Sequence, residues 1–127
     1  MSPQTVTLSV PPTPGYLALL RTVVGGCAGR EGFTLDQIDD VKMAVDEAAV
    51  QLLRSSQGTG ISIDVVIGEA ALEVHISAEV GDEQPVIDES SFSWTILQAL
   101  SDELRVENDS PRCTVVLTKR RTAHLTP

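Results

Sequence analysis

Between Ser55 and Ile61 the hydrophobic period of this chain changes, and that change limits the possible folds more than any other feature. Before it, Ile38, Val41, Val45, Ala48 and Leu52 recur at the three- and four-residue spacing of a helix with one apolar stripe. After it, Ile61, Ile63, Val65 and Ile67 alternate with other residues. Gly68-Glu69-Ala70 then turns, and Leu72, Val74 and Ile76 alternate again. Such alternation marks two half-buried strands joined as a hairpin. A one-sided helix followed by two one-sided strands buries its apolar surface most simply by laying helix on sheet.

The flanks extend the pattern. Thr5 to Val10 alternates as a first strand, and Pro11, Pro12 and Pro14 stop it. Pro14 suits a first helical turn, where its missing N–H costs nothing. The following helix carries Leu17, Leu20 and Val24 on one side with Leu19 and Val23 beside them, and Gly25-Gly26 is expected to fray or end it. Thr34 and Gln37 have capping-box spacing, acids crowd the next turn at Asp36, Asp39 and Asp40, and Arg54 sits near the far end. Gly58 and Gly60 are expected to close this second helix. The acidic, turn-rich stretch from Gly81 to Ser91 reads as a loop. Helical spacing returns from Phe92 to Leu104, with Trp94 on the core side. Arg105 to Glu107 reads as a short strand, and Cys113 to Thr118 as the last one. The order is β-α-α-β-β-α-β-β. It predicts a single domain over residues 1–127, of α+β class: a two-layer sandwich whose mixed, mostly antiparallel sheet carries its helices on one face.

Composition narrows the function. A formal charge of −9 repels phosphate backbones and argues against direct nucleic-acid binding. The basic cluster Lys119-Arg120-Arg121 reads as a solvated strand end. No apolar run reaches the roughly 18 residues of a membrane span, and the N-terminal residues lack a secretory pattern, so the expected compartment is the cytoplasm. Cys27 and Cys113 are then expected to be reduced core residues.

Glu47, Gln51 and Ser55, each four apart, form one polar row along the border of the second helix's apolar stripe. A side chain there is held by the core and still reaches a ligand, although such a row can equally be a plain boundary with solvent. The segment DDVKMAVDEAAVQLLRSS resembles the N-box helix of the RsbW-like anti-sigma factor serine kinases, within the histidine-kinase-like (Bergerat) ATPase superfamily. The opening strand, proline turn and LALLRTVV are similar to that family's start, and SFSWTILQALSDELRVENDSPRCTVVLTKR is similar to its closing helix, strand, turn and strand. The resemblance covers nearly the whole chain in order.

The resemblance implies the Bergerat fold, a nucleotide site for ATP and Mg²⁺, and phosphoryl transfer to a serine of an anti-anti-sigma protein. Glu47 falls on the N-box glutamate, the implied catalytic carboxylate, which activates the accepting hydroxyl. Gln51 falls on the magnesium-ligating asparagine and sets its amide oxygen one methylene further out, a weak metal position for an ion that demands strict octahedral geometry. Ser55 stands where a histidine is common. Ala78 falls where an aspartate accepts a hydrogen bond from adenine, although a shift of alignment would bring Glu79 or Asp82 there instead. Losing that charged acceptor costs about 1.5–3 kcal/mol. Ser91 and Ser93, in SFSW, stand where glycines let backbone amides approach phosphates. Asp82, Glu83, Asp88 and Glu89 place acids beside this mouth.

The altered positions predict weak or lost ATP binding. The resulting expectation is a binding regulator that sequesters a sigma factor and is antagonised by an anti-anti-sigma factor; the alternative is a working serine kinase. Arg21 matches a partner-contacting arginine on the family's first helix, and its planar fork suits carboxylates. A homodimer is expected, since these proteins commonly dimerise through the sheet. Phe92 or Trp94 is expected to fill the emptied nucleotide pocket.

Overall fold

The computed structural model describes residues 3–81 and 87–121. In chain order the elements are β1 (Gln4–Val10), a 3-10 turn (Pro14–Tyr16), α1 (Leu17–Arg30), α2 (Leu35–Ser55), β2 (Ser56–Ile67), β3 (Ala71–Val80), α3 (Phe92–Leu100), β4 (Glu103–Asp109) and β5 (Arg112–Arg120). The strands form one sheet in the order β1-β2-β3-β5-β4, and every pairing is antiparallel. The expected two-layer α+β sandwich is what forms, in the expected order of elements, except that the described sheet is wholly antiparallel rather than mixed.

Alternation along the strands sorts side chains between the layers. Ile61, Ile63 and Val65 of β2, Leu72, Val74, Ile76 and Ala78 of β3, and Cys113, Val115 and Leu117 of β5 are fully buried. They form one core with Leu20 and Val24 of α1, Val41, Ala44, Val45, Ala48, Ala49 and Leu52 of α2, and Trp94 and Leu97 of α3. The alternate residues, among them Asp64, Glu73, His75 and Arg105, lie on the opposite, polar face of the sheet. Both cysteines are free and buried, and burial pushes both thiols above their ordinary range.

Several boundaries differ from the sequence reading. Helix α1 runs through Gly25-Gly26 to Arg30. At Gly25 a Cβ would meet the Lys42 stem at 3.0 Å, so the glycine lets α1 lie close against α2. The helix stops instead at Gly32, whose φ of +80° follows the last turn. The Phe33 amide reaches back to the Ala28 carbonyl at 3.4 Å, and the Phe33 ring is buried. Leu19, expected beside the apolar stripe, is about half exposed.

Helix α2 begins at the predicted capping box. Thr34 Oγ1 accepts from the Gln37 amide at 3.1 Å, and Gln37 Oε1 accepts from the Thr34 amide at 3.0 Å. Its end is not at Gly58 or Gly60, because β2 follows Ser55 directly. Those glycines, with φ of +84° and +105°, lie where the β2–β3 register shifts between Ser56 and Ile61. Helix α3 ends at Leu100, and Leu104 belongs to β4, which pairs along its whole length with β5. Pairing with a long neighbour strand outweighs the helical spacing of an isolated leucine.

The last strand also departs from expectation. Lys119 is buried: its Nζ donates to Asp40 Oδ2 at 3.1 Å and to the Leu100 carbonyl at 3.2 Å, fastening β5 to α2 and α3. Arg121 stacks over Phe33, 5.3 Å from the ring centroid, and faces Glu31 at 3.7 Å. Only Arg120 is exposed, with its guanidinium on Glu103. Two of the three cations are therefore fixed to the fold.

Candidate functional site

The helical pitch sets Glu47, Gln51 and Ser55 on successive turns of α2, bordered by buried Ala44, Ala48 and Leu52. All three are partly exposed, so each is anchored at its Cα by the core and reaches the surface. Among the described residues none of the three has a hydrogen-bond or ion-pair partner. The adjacent Asp46 is engaged: Arg21 Nη1 of α1 donates to its Oδ2 at 2.7 Å, with side-chain exposures of 43% and 33%. The pair clamps α1 to α2 one residue from Glu47. The structure thus brings Arg21 to the Glu47 turn, a proximity that sequence spacing could not give.

At the far end of α2, Ser56 of β2 pairs with Val80 of β3. Ala78, two residues earlier on β3, is fully buried between Ile61 and Cys113. Its methyl group offers no acceptor. Glu79 points to the other side of the sheet, opposite Arg112, so a one-place shift does not bring its carboxylate to the helix side. The other alternative, Asp82, lies outside the described residues, as do Glu83 and the rest of 82–86.

Ser91 caps α3, its hydroxyl accepting from the Trp94 amide at 3.1 Å. That amide belongs to the helix N-terminus, where an anion would otherwise find donors. Just before it, Asp88 accepts from the amide and the hydroxyl of Ser90 at 2.9 and 2.7 Å, which holds its carboxyl below the usual range and keeps a negative charge at this turn. Ser93 Oγ is buried without a hydrogen-bond partner among the described residues. Trp94 is buried in the core as the spacing predicts. Phe92 is 78% exposed, so it fills no pocket: the first position of α3 points it outward.

Measured against ATP and Mg²⁺, these side chains fit only in part. Glu47 and Gln51 present oxygens side by side on one helix face, but the methyl group of Ala78 could accept nothing from an adenine, and the Ser91 hydroxyl already occupies an amide donor at the start of α3. Among the described residues no group of three or more His, Cys, Asp or Glu side chains is gathered to hold a metal. Nor, among the described residues, is any helix long and apolar enough to cross a membrane.

Comparison with known proteins identifies the family of this fold. The model of the histidine kinase-like ATPase domain matches residues 10–119. The serine-protein kinase RsbW of Bacillus subtilis is 32% identical, over 90% of this chain and 84% of its own length. An anti-sigma-F factor RsbW of Mycobacterium tuberculosis is 35% identical over 73% of this chain, and the match spans 55% of that relative's length. The crystal structure of the RsbU and RsbW domains of another M. tuberculosis protein superposes with a TM-score of 0.74, covering 98% of this chain and 35% of that one, at 15% identity. That likeness supports the fold. The chain belongs to the histidine kinase-like ATPase family, on its RsbW branch.

Proposed function

We propose that this protein is an anti-sigma factor that holds a sigma factor by surface contact, is released by an anti-anti-sigma factor, and has weak or lost ATP binding. Relatives named for both anti-sigma and serine-kinase activity support the partner class. The observation that carries the nucleotide reading is the full burial of Ala78, the residue that the family resemblance sets at the adenine-acceptor position. Without that acceptor, affinity falls by roughly ten- to a hundredfold. Ser91 and Ser93 for glycines, and the longer Gln51, add to the loss.

Arg21 belongs to the partner surface in this reading. Its guanidinium is already matched to a carboxylate by Asp46 at 2.7 Å, and it remains nearly half exposed to meet another. The protein acts in the cytoplasm and as a homodimer. Purification from the native host recovers a sigma factor with the wild type and less of it with Arg21→Ala. Calorimetry with Mg-ATP gives no micromolar binding; a micromolar dissociation constant would overturn the eroded-site reading.

One observation favours a second reading. Glu47 is unpaired among the described residues and partly exposed, as a carboxylate that takes a proton from a serine hydroxyl must be. Residual phosphorylation of an anti-anti-sigma protein that disappears in Glu47→Gln would establish the kinase.

A further inference from the structure

Helices α1 and α2 face each other in rungs four residues apart, the step that returns a helix to one face. Arg21 meets Asp46 at 2.7 Å; a Cβ on Gly25 would meet the Lys42 stem at 3.0 Å, and one on Gly29 would meet Ile38 at 3.9 Å. The rungs run in opposite senses along the two helices. Because Gly25 carries no side chain, the Lys42 stem lies against α1 one turn from Arg21. The first two rungs thus bring two cations and a single carboxylate together, all three partly exposed.

Asp46 has both cations within reach and holds one. Arg21 Nη1 donates to its Oδ2, whereas among the described residues Lys42 Nζ meets no carboxylate at ion-pair distance. Yet Lys42 and Asp46 are four apart on α2, the spacing at which helical side chains touch. The Arg21 bond uses one of several guanidinium donors, and side-chain exposures of 43% and 33% leave the pair screened and loosely held. A second carboxylate can therefore reach Arg21 from solvent. It would then stand beside Asp46, and two like charges on one guanidinium repel. Lys42 relieves that repulsion if Asp46 turns to it. The exchange loses no ion pair: Arg21 passes to the incoming carboxylate and Asp46 to Lys42. Lys placed before Asp is the weaker order for such a helix pair, which agrees with Asp46 resting on Arg21 in the free chain.

We propose that Asp46 is an internal stand-in for a partner's carboxylate: it holds Arg21 in the free chain, and it turns to Lys42 when an acidic side chain of the partner takes Arg21. Asp46 and Lys42 are then positioning residues that set how tightly the partner is held without touching it. The proposal deepens the anti-sigma reading and rests on Arg21 belonging to the partner surface.

Calorimetry of full-length variants, with the sigma factor recovered by the wild type as the probe, tests the exchange. Asp46→Asn removes the competing charge and binds roughly threefold more tightly than wild type. Its own urea midpoint falls, because the clamp between α1 and α2 is weakened. A residue with a merely structural role would lose affinity along with stability. The gain vanishes when Arg21→Ala is already present, since Asp46 acts through Arg21. Lys42→Met keeps a stem against Gly25 and binds about twofold more weakly. Adding Asp46→Asn cancels that loss; a loss that persists in the double variant means that Lys42 touches the partner itself and overturns the exchange. If Arg21→Ala binds as well as wild type, the partner surface lies elsewhere and both readings of Arg21 fall. If Arg21→Ala weakens binding while Asp46→Asn leaves it equal or weaker, Arg21 stays on the partner surface and the exchange alone is overturned.

Discussion

Lys119 brings an ammonium group to a place where only 10% of its side chain meets solvent, and two acceptors hold it there. Asp40 is itself a third exposed, so its contribution is screened and the pair is worth less than a fully buried one. The Leu100 carbonyl is different, because it ends α3 and has no later amide to serve it. Lys119→Met keeps the stem's packing and removes both bonds. It is expected to lower unfolding free energy by about 2 kcal/mol, read as a shift of the urea midpoint with unchanged slope. Cys27 and Cys113 give a second prediction. Burial favours the neutral thiol, so each folded pKa lies above its unfolded value. The sign follows directly: the stability each contributes is fully present below the unfolded thiol range and is lost as pH rises through the raised folded value. Alkaline urea titrations should show a falling midpoint that Cys113→Ala reduces. A midpoint that rises with pH there would contradict the assignment.

At the scale of elements, the bulge at the start of β2 rests on one residue. A Cβ on Gly60 would come within 2.6 Å of the Val10 carbonyl oxygen, and its φ of +105° is strained for any other residue. Gly60→Ala should cost at least about 2 kcal/mol and loosen β1 from β2 first, seen as faster amide exchange along β1. From sequence this glycine read as a helix stop, and the mistake is informative. A glycine's positive φ serves a cap and a bulge equally, and only the register of β2 on β3 separates them. Thr34–Gln37 was legible because both partners of a capping box lie within four residues. The strands around Ile63 and Val74 were legible because alternation is local. Passage of α1 through Gly25-Gly26 was not, since Lys42 of another helix supplies the reason. Nor was the burial of Lys119, whose partners Asp40 and Leu100 are 79 and 19 residues away. In the candidate site the α2 row was legible from its four-residue spacing, whereas Ala78 was singled out only through the family resemblance, and its place within β3 lies beyond Ile76, the last residue of the alternation read from sequence. The Arg21–Asp46 pair was not, because it joins helices 25 residues apart in sequence.

For the whole molecule, a charge of −9 on 127 residues makes ionic strength a probe of how copies meet. Two surfaces of the sheet compete for that role. The polar face carries opposed charges in Glu73, Arg105 and Glu107, with Arg105 already paired to Glu107 at 3.0 Å and to Glu73 at 3.9 Å. Association through that face would exchange such pairs between chains, and added salt would weaken it. Association at the uncharged β1 edge would instead use backbone hydrogen bonds and cover the exposed Val6, neither of which salt screens. What salt does screen there is the mutual repulsion of two anionic chains. Raising ionic strength from about 0.01 M to 0.15 M shortens the screening length from roughly 30 Å to 8 Å, less than the span of a small domain. Dimerisation through β1 should therefore tighten with salt over that range and level off above it. Sedimentation equilibrium at a series of salt concentrations measures the slope, and its sign distinguishes the two faces.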